Sequence, residues 1–223
     1  MSFKTLPVVE EILSANDRIA LENRKLLQGY GILAVNVMAS PGAGKTSLIL
    51  RTIEALRGRL RVGVIEGDVA GRVDADKVAE TGTPVVQINT GGGCHLDALQ
   101  VQNALKKLPL DEMDLLFIEN VGNLICPTGF ALGEQLNMVI ANVPEGHDKP
   151  IKYPGIFAVV DVLVLNKIDL MPYLDFDLTA FRTAIRALNA GAPLFEVSCK
   201  TGEGLPAWVD WLAEHSHPLD VGP

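Results

Sequence analysis

The chain has 223 residues, 48% of them hydrophobic, enough to bury one α/β core and to set a single domain as the expectation. Its 27 acidic and 19 basic side chains leave a net charge of −8, which repels polyphosphate backbones, excludes a general nucleic-acid partner and requires any phosphate affinity to be local. No stretch approaches the roughly 18 apolar residues of a membrane span, and Glu10 and Glu11 stand where a secretion signal would be apolar, so a cytoplasmic protein with no membrane partner is expected.

In chain order, Val8, Val9, Ile12, Leu13, Ile19, Ala20, Leu21, Leu26 and Leu27 recur at helical spacing. They predict an amphipathic helix, interrupted or bent near Ser14 to Asp17 and ended by Gly29-Tyr30-Gly31. The run Ile32 to Met38 is apolar and rich in β-branched residues, which suits a strand buried on both faces. Further strands are expected at Val62 to Glu66, Val85 to Asn89, Leu115 to Glu119, Val160 to Leu165 and Leu194 to Val197, mostly with helix-length segments between them. Such alternation predicts a doubly wound, mainly parallel α/β sheet. Residues 127–155 carry Pro144, Gly146, Pro150, Pro154 and Gly155 near their end and are expected to be a loop-rich excursion.

The first strand runs into Ser40-Pro41-Gly42-Ala43-Gly44-Lys45-Thr46, a phosphate-binding loop. Gly42 and Gly44 let the backbone, with Ser40, Pro41 and Ala43, wrap phosphates; Lys45 reaches the β and γ groups, and the Thr46 hydroxyl suits Mg²⁺. Ser47 then opens a helix whose N-terminal dipole favours anions. Ala39 stands where the pattern has glycine, a strained placement if the backbone there needed positive φ. Asn166-Lys167-Ile168-Asp169 follows a strand and matches the N-K-x-D element of GTPases: Asp169 can accept two hydrogen bonds from guanine, and the Lys167 stem can cover the base. Ser198-Cys199-Lys200 follows the last strand as a third base-contacting loop. All three motifs fall at carboxyl ends of strands, where open parallel sheets bind ligands. A small-molecule kinase also uses a P-loop with Mg²⁺, but the Asn166 to Asp169 element argues against it.

Glu119-Asn120-Val121-Gly122 ends a strand like the element that senses the γ-phosphate, with the Gly122 N–H facing that phosphate and Glu119 near Mg²⁺. Asp68, in Glu66-Gly67-Asp68, is a candidate for holding Mg²⁺ or positioning water. Asp74 and Asp76 fit either Mg²⁺ binding or a solvated first helical turn. The cysteine count is odd, at three, and gives no disulfide framework. Cys94 and His95 precede a helix-like run from Leu96 to Leu108, so a helix dipole is expected to lower the Cys94 thiol pKa. With Cys126 they form a soft set suited to Zn²⁺ or Ni²⁺, short of a fourth ligand that a second copy of the chain can supply. Two buried structural thiols and a capping histidine are the alternative. Cys199 needs no explanation beyond its small size in the base loop. His147, His215 and His217 read as surface residues.

These motifs together resemble the HypB family, nickel-incorporation GTPases of hydrogenase maturation in the SIMIBI class of P-loop proteins. The resemblance rests on Ser40 to Thr46, Glu66 to Asp68, Asn89-Thr90-Gly91-Gly92-Gly93-Cys94-His95, Glu119 to Pro127 and Lys149 to Pro154, and spans about residues 10 to 213. It implies a SIMIBI-type G domain over 31–215, an N-terminal helical segment over 1–30 and a flexible tail over 216–223. It also implies Mg²⁺ with GTP and GDP, a GTP-dependent homodimer with Cys94, His95 and Cys126 at its interface, and Lys152 reaching the partner's nucleotide. The nickel chaperone HypA and a [NiFe]-hydrogenase large-subunit precursor are the implied protein partners. The helix bearing Asn16-Asp17 and Asn23-Arg24 resembles the segment that docks the chaperone, although its apolar stripe fits packing onto the domain equally well. Some members carry a cysteine cluster or a histidine-rich stretch ahead of the domain; residues before Ile32 hold neither, which points to transfer rather than storage of metal. A GTP-dependent switch with only structural zinc, and nickel insertion into urease, remain as alternatives.

Overall fold

The computed structural model describes residues 8–69 and 71–216, and the side chains from residue 13 onward. The side chains of the stripe positions Val8, Val9 and Ile12, together with His217 and the expected tail apart from Ser216, lie outside what it describes. In order the elements are α1 (Val8–Gly29), β1 (Leu33–Ala39), α2 (Lys45–Leu56), β2 (Val62–Asp68), α3 (Val73–Glu80), β3 (Val85–Asn89), α4 (Ala98–Leu105) and β4 (Leu115–Glu119). There follow β5 (Leu136–Asn142), α5 (Lys149–Lys152), α6 (Pro154–Val159), β6 (Val162–Asn166), α7 (Leu178–Leu188), β7 (Leu194–Glu196) and α8 (Leu205–Ser216).

The strands form one seven-stranded sheet in the order β3-β2-β4-β1-β5-β6-β7, with every pair parallel. Central strands of such a sheet are buried on both faces, which is why β1, β4 and β6 are predominantly apolar, with Asn36 the one polar residue inside β1. One face packs Val35, Val37, Val64 and Phe117 against Leu48 and Ile49 of α2 and Trp208 of α8. The other splits into a cluster of Leu27 from α1 with Leu105 from α4, and a cluster of Phe157 from α6 with Phe181 from α7. Trp208, wholly buried, donates its Nε1–H to Thr52 Oγ1 at 2.9 Å, so the largest core side chain has its polar atom satisfied.

Two expectations are corrected. The N-terminal helix is continuous across Ser14 to Asp17, because the Asn16 side chain makes bonds outside the helix instead of competing with its backbone. The excursion over 127–155 contains β5, an interior strand between β1 and β6. Its apolar run Met138-Val139-Ile140-Ala141 was masked by the prolines and glycines that follow it.

Candidate nucleotide and metal site

The carboxyl ends of β1, β4 and β6 converge on the loop from Ser40 to Thr46. Gly42 and Gly44 turn it with φ of 75° and 99°, conformations open to glycine. A Cβ on Gly44 would run into the Asn166 amide, which donates to Ala43 O at 3.0 Å. Ala39 ends β1 in ordinary strand conformation, so the missing glycine carries no strain there. Thr46 Oγ1 donates to Glu119 Oε1 at 2.9 Å and Lys45 Nζ lies 3.8 Å from the same oxygen. A Cβ on Gly122 would meet Pro41 atoms at 3.0 Å, which places the backbone after β4 directly against the loop.

Two adjoining cavities follow. One, of about 300 Å³, is lined by Gly42, Lys45, Thr46, Asp74, Lys77 and Glu119. The other, of about 420 Å³, is lined by Asn166, Asp169, Cys199 and Lys200, and Gly44, Ser47 and Lys167 border both. A larger cavity of about 610 Å³ at the β7 edge, near Arg182 and Asn189, holds none of these motifs. Lys167 takes φ of 62°, the left-handed region, and its Nζ donates to Gly42 O at 2.7 Å. Ser198 Oγ donates to Asp169 Oδ1 at 2.6 Å, and Asn166 Oδ1 accepts from Cys199 N–H at 3.3 Å, so the two base-loop motifs are bonded to one another. Burial pushes the Cys199 thiol up to about 11, which keeps it protonated and inert.

The carboxylates separate by environment. Glu119 is 3% exposed and its Oε2 has no partner; burial pushes its pKa up to about 7 against the pull of Lys45 and Thr46. That orphaned oxygen beside Thr46 fits a Mg²⁺ ion or one of its waters. Asp74 lines the phosphate-side cavity and pairs with Lys77 at 2.8 Å, whereas Asp76 is exposed and 3.8 Å from Arg72. Asp68 lies outside both cavity linings and accepts from the Val69 and Gly71 N–H groups, closing its own turn. Glu66, the register partner of Glu119, is also 3% exposed with an unpartnered Oε2.

Cys94, His95 and Cys126 come together: one ligand atom from each lies within 4.8 Å of the others. Ligand atoms on one tetrahedral ion sit about 3 to 4 Å apart, so this soft set fits a single ion after a small closure. Asn123 Oδ1 accepts from Ile125 and Cys126 N–H at 2.8 and 3.4 Å, shaping the turn that presents Cys126. The Phe130 ring packs on His95 with centroids 4.0 Å apart. Burial lowers the His95 pKa, which keeps the imidazole neutral and able to ligate. The dipole argument for Cys94 is corrected: α4 begins only at Ala98, and Asp97 takes the cap, accepting Gln100 N–H at 2.7 Å. Cys94 therefore lies ahead of the cap, and its hydrogen bond with Cys126 holds its thiol above the usual range.

Lys152 enters neither cavity; it is exposed and bonds Asp148 at 2.6 Å. Lys149, which the motif reading passed over, places Nζ 3.5 Å from Ser40 Oγ and 3.7 Å from Glu145. Also missed was Asn120. Wholly buried, its Oδ1 accepts from Leu96 N–H at 3.0 Å and its Nδ2 donates to Asn36 Oδ1 at 3.2 Å. Its polarity at a strand end was the available signal. His147 Nδ1 accepts from Asp177 N–H at 3.2 Å, and His215 packs on Trp211, so neither joins the site. Among the described residues no helix is long and apolar enough to cross a membrane.

A family model described as "CobW/HypB/UreG, nucleotide-binding domain" matches residues 33–196. A hydrogenase maturation factor HypB from Azotobacter vinelandii is 48% identical over 209 residues, 94% of this chain and 69% of that protein. The crystal structure of hydrogenase maturation factor HypB from Archaeoglobus fulgidus superposes with a TM-score of 0.86 at 40% identity, covering 92% of this chain and all (100%) of that one. The crystal structure of HypB from Helicobacter pylori in complex with nickel gives 0.86 at 34% identity, over 91% and 95% of the two chains. The chain belongs to the HypB family of hydrogenase maturation factors, within the CobW/HypB/UreG group of nucleotide-binding proteins.

Proposed function

We propose that the chain is a Mg²⁺-dependent GTPase that carries nickel for [NiFe]-hydrogenase maturation and whose nucleotide state sets its metal affinity. One observation carries the coupling: the segment after β4 touches both sites. Glu119 accepts from Thr46 and Gly122 lies against Pro41, while Asn120 between them holds Leu96, the residue after His95. A shift of this segment on loss of the γ-phosphate moves the Cys94-His95 loop and, through the same stretch of chain, Cys126.

In this reading Asp169 selects guanine, with Asn166, Lys167, Ser198 and Lys200 around the base. Lys45 and the backbone from Gly42 to Thr46 hold the phosphates, and the Gly122 N–H faces the γ group. Thr46 and Glu119 would hold Mg²⁺, with Asp74 or Asp68 behind them, and the bound ion would supply positive charge to offset that on the transferred phosphoryl group. Water attacks in line and no covalent intermediate with the protein forms. GTP joins two subunits across the cysteine loops, with Lys152 directed at the partner's nucleotide, and nickel received from the chaperone HypA passes to the hydrogenase precursor in the cytoplasm. The nickel is cargo, and three protein ligands from one chain suit an ion that must leave.

The test is Ni²⁺ affinity and sedimentation measured with GDP and with a non-hydrolysable GTP analogue. Affinity and assembly state should both differ between the two nucleotides. Equal values in both forms would remove the coupling and leave a GTP-dependent switch whose metal is structural.

A further inference from the structure

We propose that Asn16 and Asn23 of α1 are positioning residues for the Cys94–His95–Cys126 site, tying the two metal-bearing segments to one helix. The proposal rests on the nickel reading of that site. The two asparagines are seven residues apart, which puts them on one face of the helix, and they are 7% and 1% exposed. Asn16 Oδ1 accepts from Ala98 N–H at 2.9 Å and its Nδ2 donates to Ala131 O at 2.8 Å. Asn23 Nδ2 donates to Ala98 O at 2.8 Å and to Leu132 O at 2.9 Å.

Each amide thus bridges the same two segments. Ala98 lies three residues beyond His95, at the first position of α4, and both its backbone groups are taken by α1. Ala131 and Leu132 follow Phe130, whose ring packs on His95 and whose N–H bonds Pro127 O, next to Cys126, at 3.3 Å. The approach is close: at Gly133, with φ of 108°, a Cβ would fall 2.9 Å from both Ala20 O and Arg24 N of α1. No side chain fits between the helix and this segment.

Four hydrogen bonds from one helix, three of them fully buried, therefore fix the spacing of loops that lie far apart in sequence. Partners bonded directly to metal ligands typically change metal affinity by about 10- to 100-fold when removed. These asparagines act on the ligands one step further back, through Ala98, Ala131 and Leu132, so the lower end of that range is expected. The bonds also explain why asparagine, otherwise a weak helix former, stands at these two interior positions of α1.

The test uses the full chain loaded with GDP and compares Asn16→Ala, Asn23→Ala, Asn16→Asp, Leu27→Ala and, as the ligand control, Cys94→Ala. Ni²⁺ is titrated while the thiolate-to-nickel absorption band is followed, with GDP affinity and Tm measured alongside. Leu27 is wholly buried in the same helix–sheet cluster but bonds nothing at the site, so its truncation reports the cost of loosening α1 alone. Asn16→Ala and Asn23→Ala should weaken Ni²⁺ binding at least 10-fold or shift the band, with GDP affinity within about twofold of the parent. Asn16→Asp keeps the acceptor for Ala98 N–H and loses the donor to Ala131, and should fall between. Leu27→Ala should lower Tm and leave nickel affinity near the parent's. Unchanged nickel affinity and band in both alanine variants overturns the proposal, as does an equal loss in Leu27→Ala. A parent chain that binds no Ni²⁺, with Cys94→Ala indistinguishable from it, overturns the nickel reading itself.

Discussion

Replacing Glu66 by Gln removes an ionisable group whose surroundings oppose its charge. Burial, and next the Glu119 carboxylate one strand away, push the Glu66 pKa up from 4.5 to about 8. A native pKa above the unfolded one means that the folded chain keeps a proton that the unfolded chain gives up. The stabilising contribution is fully present below about pH 4.5 and is lost as pH rises towards 8. Between roughly pH 5.5 and 7.5 the native chain stays largely protonated at Glu66 while the unfolded chain is ionised, which removes about 2 to 3 kcal/mol of stability at about 1.4 kcal/mol per unit. A glutamine amide has no such dependence. Urea unfolding at the two pH values, on protein free of nucleotide and Mg²⁺, should show the parent losing that amount relative to Glu66→Gln. Parallel pH dependences of the two proteins would mean that Glu66 is ionised in the native chain, and the reasoning from its burial and its neighbour would be wrong.

With Asp169 selecting guanine as proposed, Asp169→Asn would lose two charge-assisted bonds, each worth about 1.5 to 3 kcal/mol, and should raise the GTP dissociation constant roughly 100-fold or more while leaving ATP binding unchanged. Nucleotide titration checks this, and equal losses for both nucleotides would place Asp169 outside the base site. Gly122→Ala puts a methyl group 3.0 Å from Pro41, so single-turnover hydrolysis should fall at least about 10-fold with GDP affinity retained. Because the Cys94 thiol is held above its usual range, nickel competes with a proton there: Ni²⁺ affinity should rise from about pH 6 to 8, with proton release visible in weakly buffered calorimetry. Trp208→Ala empties a wholly buried site and removes the donor to Thr52 Oγ1, which keeps its own bond to Leu48 O, and should cost about 3 to 5 kcal/mol in urea unfolding without altering nucleotide selectivity.

Much of the phosphate and base loops was legible in the chain because each is a short motif placed directly after an apolar strand. A Gly-rich turn, a lysine and a hydroxyl within a few residues need little tertiary help to form a phosphate cradle, and β1 and α2 bracket theirs as read. β5 was hidden for the opposite reason: its strand signal is only a few residues long and is followed by Pro144 and Gly146, which dominate a local reading. Ala39 looked like a defect by pattern alone, and only its backbone conformation shows that it ends a strand without strain. The expected lowering at Cys94 required α4 to start there; the Asp97–Gln100 capping box starts it at Ala98, and the hydrogen bond with Cys126 raises the thiol instead.

By itself the sequence determined the alternating α/β pattern, the loop from Ser40 to Thr46, the Asn166 to Asp169 element and the soft character of Cys94, His95 and Cys126. These are matters of composition and local spacing. The tertiary structure alone decided which of them meet. The order β3-β2-β4-β1-β5-β6-β7 brings β2 and β1 to either side of β4, so that Glu66 neighbours Glu119 and Asn120 bonds both Leu96 and Asn36. Asn16 and Asn23 find partners 75 to 115 residues away in the chain. Residue spacing encodes the face on which a side chain emerges; what it meets there is set by strand order and helix docking, which no local pattern contains.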